Sequence, residues 1–233
     1  RVSVCDSANA YASNVSLSNN TWTSTSMALT IGSNTATITA SNGSAANTTS
    51  NTFVAGIAAN FAVGDVLQVG NSAIGTQYLK ITSVANAVTN STVSSVTIQL
   101  QDTYRLAVNF NTSDAGNGNT IQRHWEFFNV VDTAPGQSNY VKSFGNTAAN
   151  DELHVVVADN GGLFTGVPGT ILEVYKSVSR ASDSKTVGGE NNYYKTVINH
   201  GSQYIWWAND RSGAASANSM NVASSTNNAA LNM

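Results

Sequence analysis

The residues of this chain that could do chemistry are three histidines, a few carboxylates and many hydroxyls, so their spacing decides what chemistry is open to them. His124, His154 and His200 are far apart, and no His-x-x-x-His or Cys/His cluster offers the ligand spacing of a transition-metal site. Asp151, Glu152 and His154 lie close together. Alternate residues of a strand face opposite sides, so these three could gather a hard cation only on a bulged strand, and the expected reading is an acidic strand start followed by a core-edge histidine. The same alternation parts Asp151 from Glu152 and does not suit paired acid/base work. Serine is abundant, yet no Gly-x-Ser-x-Gly elbow sets one on a strained turn. Gly116-Asn117-Gly118-Asn119-Thr120 lacks the third glycine and the following helix of a phosphate loop. Trp125, Phe127, Phe128, Trp206 and Trp207 could form a sugar platform, but core and interface packing is their more ordinary use. Sequons at Asn14, Asn19, Asn47 and Asn90 are expected by chance in a chain with thirty Asn. No catalytic, cofactor-binding or metal-binding residue is nominated, no cofactor is expected, and the chain reads as a non-enzyme.

Composition narrows the partners. Of 233 residues only 10% are charged, 41% are hydrophobic and the net charge is −3. Ten Lys and Arg against thirteen Asp and Glu supply no broad basic face for nucleic acid. No run reaches the about eighteen apolar residues of a membrane span. The single Cys5 excludes an intrachain disulfide and favours a reducing compartment. With Arg1 first and Met27 the first methionine, and no apolar leader, the chain reads as an internal piece of a longer protein.

The elements that must position these residues fall into two parts. Nineteen of the twenty-three charged residues lie beyond position 100, a shift that marks a domain boundary. The first part reads as short strands at Thr35–Ala40, Asp65–Val69, Tyr78–Val84 and Val93–Gln101, with Asn60–Asp65 as a turn. Val93, Val96, Ile98 and Leu100 come close to period two. The expected fold is mainly β with a minor α component: an antiparallel β-barrel or sandwich beside a small α+β domain. In the second part, Ile121–Val131 reads as a long aromatic element and Leu153–Ala158 as a strand covered on both faces. Asp159–Gly162 and Val167–Gly169 read as turns, and Thr170–Ser179 as an alternating strand. Tyr193, Tyr194, Val197 and Ile198 build one apolar helical face over Asn191–His200, with Asn191 as N-cap and Gly201 as stop. Tyr204–Trp207 reads as a buried strand, and the chain from Asp210 to Met233 as a truncated linker.

Three segments of the second part stand out: Glu126–Tyr140, then Asn150–Asp159 continuing through Gly166–Thr186, and Asn191–Asn199 leading to Tyr204–Asn209. Together they resemble the tail-sheath proteins of contractile-tailed bacteriophages, especially T-even-like marine and cyanobacterial ones. Within these segments, Thr170-Ile-Leu-Glu-Val-Tyr-Lys-Ser-Val-Ser179 running into Ala181–Lys185 is similar to a sheath strand that enters a small polar loop. The resemblance covers about Trp125 to Asn209, and Arg1–Cys5 resembles the strand that precedes an inserted outer β-domain. The family's N-terminal arm and C-terminal domain lie outside these residues. The resemblance implies a core strand at 1–9, an outer insertion at 10–115, a sheath domain at 116–209 and a linker at 210–233. It further implies a virion protein assembled in the bacterial cytoplasm, polymerising as stacked hexameric rings. Its partners would be the tail tube and baseplate, with no nucleic acid or membrane, and its contraction would drive genome delivery. The helix at 191–200 and the loop at 181–190 are expected on an inner or lateral face, and residues 10–110 toward solvent. The competing expectation is a β-rich surface adhesin or glycan-binding module.

Overall fold

The structure is a computed structural model that describes residues 1–15, 17, 24–41, 56–88, 93–103, 108–113, 118–145 and 149–208. In chain order its elements are β1 (Val2–Cys5), α1 (Ala8–Tyr11), β2 (Ala12–Asn14), β3 (Ser24–Leu29), β4 (Thr35–Ser41), β5 (Val66–Asn71), β6 (Gly75–Val88) and β7 (Val93–Leu100). They continue as β8 (Phe110–Asn111), β9 (Thr120–His124), α2 (Asn139–Ser143), β10 (Glu152–Asp159), β11 (Thr170–Ser179) and α3 (Tyr194–Gly201). The chain is mainly β, with a small α component. It forms two units: Ala12–Glu126, and Arg1–Tyr11 together with the chain from Phe127 onward.

The Ala12–Glu126 unit holds an eight-stranded antiparallel sheet in the order β2-β9-β5-β6-β7-β4-β3-β8. Alternation builds its interior: Leu67 and Val69 on β5, Ile98 and Val96 on β7, Ala36 and Ile38 on β4, and Met27 and Leu29 on β3 share one apolar core. The expected barrel does not form. β6 is fourteen residues long; its first part pairs with β5, its second with β7, and the register shifts between Ile81 and Ser83. That irregularity turns the sheet around its core. The described edges β2 and β8 do not pair with each other, however, and a barrel requires such closure.

The second unit carries a three-stranded antiparallel sheet in the order β1-β10-β11. Val2 pairs with Val157 and Cys5 with His154, so residues from the start of the chain complete a sheet whose other strands lie beyond position 150. β10 is buried from Leu153 to Asp159, as its unbroken apolar run requires. Leu153, Val155, Val178 and Ile198 form an apolar cluster, with Tyr194 and Val197 of α3 packed against it.

Several expectations change. The boundary placed at 115/116 falls at Glu126/Phe127, because β9 is hydrogen bonded between β2 and β5. The long element expected at Ile121–Val131 is therefore the end of β9 followed by turns. Asn191 does not cap α3; Tyr193 is the N-cap and makes no side-chain bond there. Instead Asn191 Oδ1 accepts the Tyr193 N–H at 2.8 Å, setting the turn before the helix. Gly201 is the last helical residue, and Ser202 caps it through its N–H to the Ile198 carbonyl. Tyr204–Trp207 is no strand, and Trp206 is 62% exposed. The Ser202 hydroxyl accepts the N–H groups of Tyr204 (3.1 Å) and Ile205 (2.9 Å), so a side chain takes the place of a ladder. The side chain of Val93, Gly116–Asn117, sequon positions Asn19, Asn47 and Asn90, and the linker at 210–233 lie outside the described residues.

Candidate interaction surface

The connection between β10 and β11 is closed by hydrogen bonds to the strand end. β10 ends at Asp159, whose carboxylate accepts the backbone N–H groups of Leu163 (2.9 Å), Phe164 (2.9 Å) and Thr165 (2.8 Å) and the Thr165 hydroxyl (3.0 Å). Its carbonyl accepts the Gly169 N–H at 2.7 Å, closing the excursion onto the strand end. Burial alone raises the Asp159 pKa, but the four donors outweigh it and hold the carboxyl below its ordinary value. Gly162 sits at φ 72°, and a Cβ there would lie 2.9 Å from Pro168, so no larger residue fits the bend. With its polar groups turned inward, the loop presents Leu163 (90% exposed), Phe164 (72%) and Val167 (62%) outward.

Glu173 of β11 secures the chain after α3. Its Oε2 accepts the hydroxyls of Tyr175 (3.0 Å) and Ser202 (2.6 Å), and its Oε1 accepts the Gln203 N–H at 2.8 Å. That anchor sets Tyr204 edge-on to Phe164, with ring centroids 5.6 Å apart. Trp207 is held by its N–H to Asn199 Oδ1 (2.7 Å) and by the Lys195 ammonium 3.7 Å from its ring centroid.

The opposite end of the sheet is bonded just as fully. Asp151 is buried; it accepts the Ser138 N–H at 2.8 Å and a short hydrogen bond from the Ser179 hydroxyl. Glu152 turns to a different partner, the Gly136 N–H at 3.1 Å, and burial raises its pKa. The two carboxylates therefore take different hydrogen-bond donors. His154 is fully buried rather than at a core edge. The strand does shift register between Leu153 and Val155, but the histidine's nitrogens are already taken. Nε2 lies 2.9 Å from the Thr133 carbonyl, and Nδ1 accepts the Ser177 N–H at 2.9 Å. Such a ring is neutral with its proton on Nε2, and burial lowers its pKa. Ser177 adopts φ 48°, the one positive φ among described non-glycine residues.

The other two histidines belong to different units. His124 Nε2 lies 2.6 Å from Gln68 Oε1 in the Ala12–Glu126 unit, its pKa lowered by burial and by Arg123. His200 is exposed on α3. Among the described residues no group of His, Cys, Asp and Glu is placed to hold a metal ion. Trp125 is completely buried, whereas Trp206 is exposed. The sequence reading missed the roles of Asp159 and Glu173. The one available signal was an aspartate closing a strand just before Asn160-Gly161-Gly162, where several N–H groups need an acceptor.

A scan against protein-family models, a search of curated proteins and a search of solved structures each find no match to this chain. No helix among the described residues is long and apolar enough to cross a membrane.

Proposed function

We propose that this chain is a structural subunit of a contractile phage tail sheath, polymerising around a tail tube and contracting without cofactor or catalytic residue. The reading rests on the sequence order and spacing of the sheath-like segments between Glu126 and Asn209. The observation that carries it is the nested topology. β1 pairs with β10, and the Ala12–Glu126 unit is inserted between them, entering on β2 and leaving on β9, which pair at Ala12 and His124. An assembling core with an inserted outer domain is what a sheath protomer needs, because the core can carry the repeating contacts while the insertion varies. Contraction is then a shift between two packings of the same modules.

Negative-stain electron microscopy of the full chain tests this reading, with tubes or stacked rings expected and monodisperse particles overturning it. Excising 12–126 and joining Tyr11 to Phe127 should leave assembly intact; its loss would overturn the assignment of that unit as an outer insertion.

A second reading, a glycan-binding module, is favoured by one groove of about 490 Å³ in the inserted unit, lined by Gln77, Tyr78, Leu79, Asp102 and Thr103. Tyr78 is 55% exposed there and offers an aromatic face beside amide and carboxylate groups. Chemical-shift perturbation of the Tyr78 ring by a panel of oligosaccharides checks it.

A further inference from the structure

In the unit formed by Arg1–Tyr11 and the chain after Phe127, exposed apolar side chains occur at both ends of the β10–β11 ladder. At the connecting loop they are Leu163, Phe164 and Val167, with Tyr204 against Phe164. At the other end, Phe144 (72% exposed) follows α2, and Val187 (92%) tops a narrow hairpin closed by the Lys185–Asn191 bridge. α2 belongs to that end because Ser138 and Gly136 bond to Asp151 and Glu152 at the start of β10. β11 is ten residues long, so at about 3.3 Å per residue the two ends lie roughly 30 Å apart. One small partner cannot cover both.

Both ends are held in shape. The Asp159 carboxylate fixes the loop, and the Val187 hairpin is closed by hydrogen bonds from Thr186 N–H to the Glu190 carbonyl (2.9 Å) and from Gly189 N–H to the Thr186 carbonyl (2.9 Å). Neither end selects a charged partner. The loop's one carboxylate is consumed inside it, and the other end mixes Lys142, Arg180 and Lys185 with Asp151, Glu152, Asp183 and Glu190. A single apolar patch suits a closed pair of like surfaces. Two different patches at opposite ends of one rigid ladder suit a heterologous contact, in which every added copy leaves one patch of each kind open for the next.

We propose that the β10–β11 loop of one copy seats against the Phe144/Val187 end of a second copy. The proposal rests on the sheath reading and gives it a contact between protomers. A few side chains on each side fall well short of the about 1,200 Å² buried in stable pairs, so one contact does not hold a dimer and only an array accumulates enough of them.

The test uses the full chain in sedimentation and electron microscopy. If the wild-type chain forms no polymer, the sheath reading and this contact fall together. If it polymerises, Leu163→Ser/Phe164→Ser should raise the concentration needed for assembly by about tenfold or more, as expected for losing two buried apolar contacts. The conservative Leu163→Met/Phe164→Leu should assemble normally. Wild-type assembly by the Ser double variant, with an unchanged circular dichroism spectrum, overturns the contact and leaves the sheath reading standing. The geometry is checked by mixing Leu163→Cys chains with Val187→Cys chains and a short bismaleimide, since Cys5 is completely buried. Crosslinks joining 163 to 187 are expected; crosslinks joining only 163 to 163 overturn the head-to-tail arrangement.

Discussion

The two units solve the problem of a stable interior in opposite ways. The Ala12–Glu126 unit buries one broad apolar cluster drawn from seven of its eight strands and adjoining loops, and its buried charges are concentrated in one pair, Arg123 Nη1 to Asp65 Oδ2 at 3.4 Å. The other unit has a small apolar cluster of Leu153, Val155, Val178 and Ile198. It also buries Cys5, Ala10, Val131, Val156, Val157 and Ala158, together with the polar Ser3, Ser138, Asp151, His154, Asp159, Ser179 and Ser184. Apolar burial is non-directional and tolerates repacking, whereas a buried hydrogen-bonded carboxylate or imidazole fixes one geometry. The unit with the sparser apolar core is thus the more narrowly specified. It also carries eight of the twelve large exposed hydrophobic residues among the described ones, so its apolar surface is spent outward.

The sharpest way to break this contrast is Asp65→Ala. It removes the carboxylate that Arg123 Nη1 meets at 3.4 Å in the interior and should cost about 3–5 kcal/mol. Hydrogen exchange should show β5 and β9 losing protection while β10 and β11 keep theirs; equal loss in both units would mean that they do not fold separately. Ile98→Ala removes a fully buried side chain from the apolar cluster and should cost about 2–5 kcal/mol, read by denaturant unfolding.

Acid should separate the units by residue. The His154 pKa is lowered on folding, so the unfolded chain binds the proton more readily. Stability is complete above the unfolded value near pH ~6.5 and declines as pH falls from there toward the folded value. His154→Gln should flatten that slope for β10 and β11, and His124→Gln, whose pKa shifts the same way, for β5 and β9. Melting curves between pH 5 and 8, taken with region-resolved exchange, check both. Smaller still, Ser177→Gly relieves a left-handed φ and should gain up to about 1 kcal/mol if the freed backbone entropy does not offset it. Least of all, Leu163→Ser should change the unfolding free energy of the unassembled chain by no more than about 0.5 kcal/mol, read by denaturant unfolding.

Legibility in the sequence follows the same division. Strands of the inserted unit were readable where side chains alternate: Val96, Ile98 and Leu100 point inward, as their period-two spacing requires. β3 escaped notice because Ser24–Leu29 offers only Met27 and Leu29 against small residues. β9 was assigned to the wrong part because its partners β2 and β5 are distant in sequence, and pairing leaves no local mark. In the other unit β10, β11 and α3 were legible from their apolar patterns. The networks around Asp151, Asp159 and Glu173 were not, because most of their donors are backbone N–H groups that any residue supplies. Tyr204–Trp207 misled for a related reason: a short apolar run does not say whether anything covers it.

The stem formed by β2 and β9 has a mechanical meaning. The inserted unit is entered and left through two strands that pair with each other, so its two chain ends are fixed side by side. Tension along β1, β10 and β11 has no covalent route that must stretch the eight-stranded sheet once the stem is clamped. Tyr11 supplies part of that clamp within the host, its hydroxyl lying 2.8 Å from the Phe128 carbonyl and 2.7 Å from that of Val131. The three-stranded sheet and the inserted unit can therefore diverge independently, and a different domain with neighbouring termini should be accepted at the same stem.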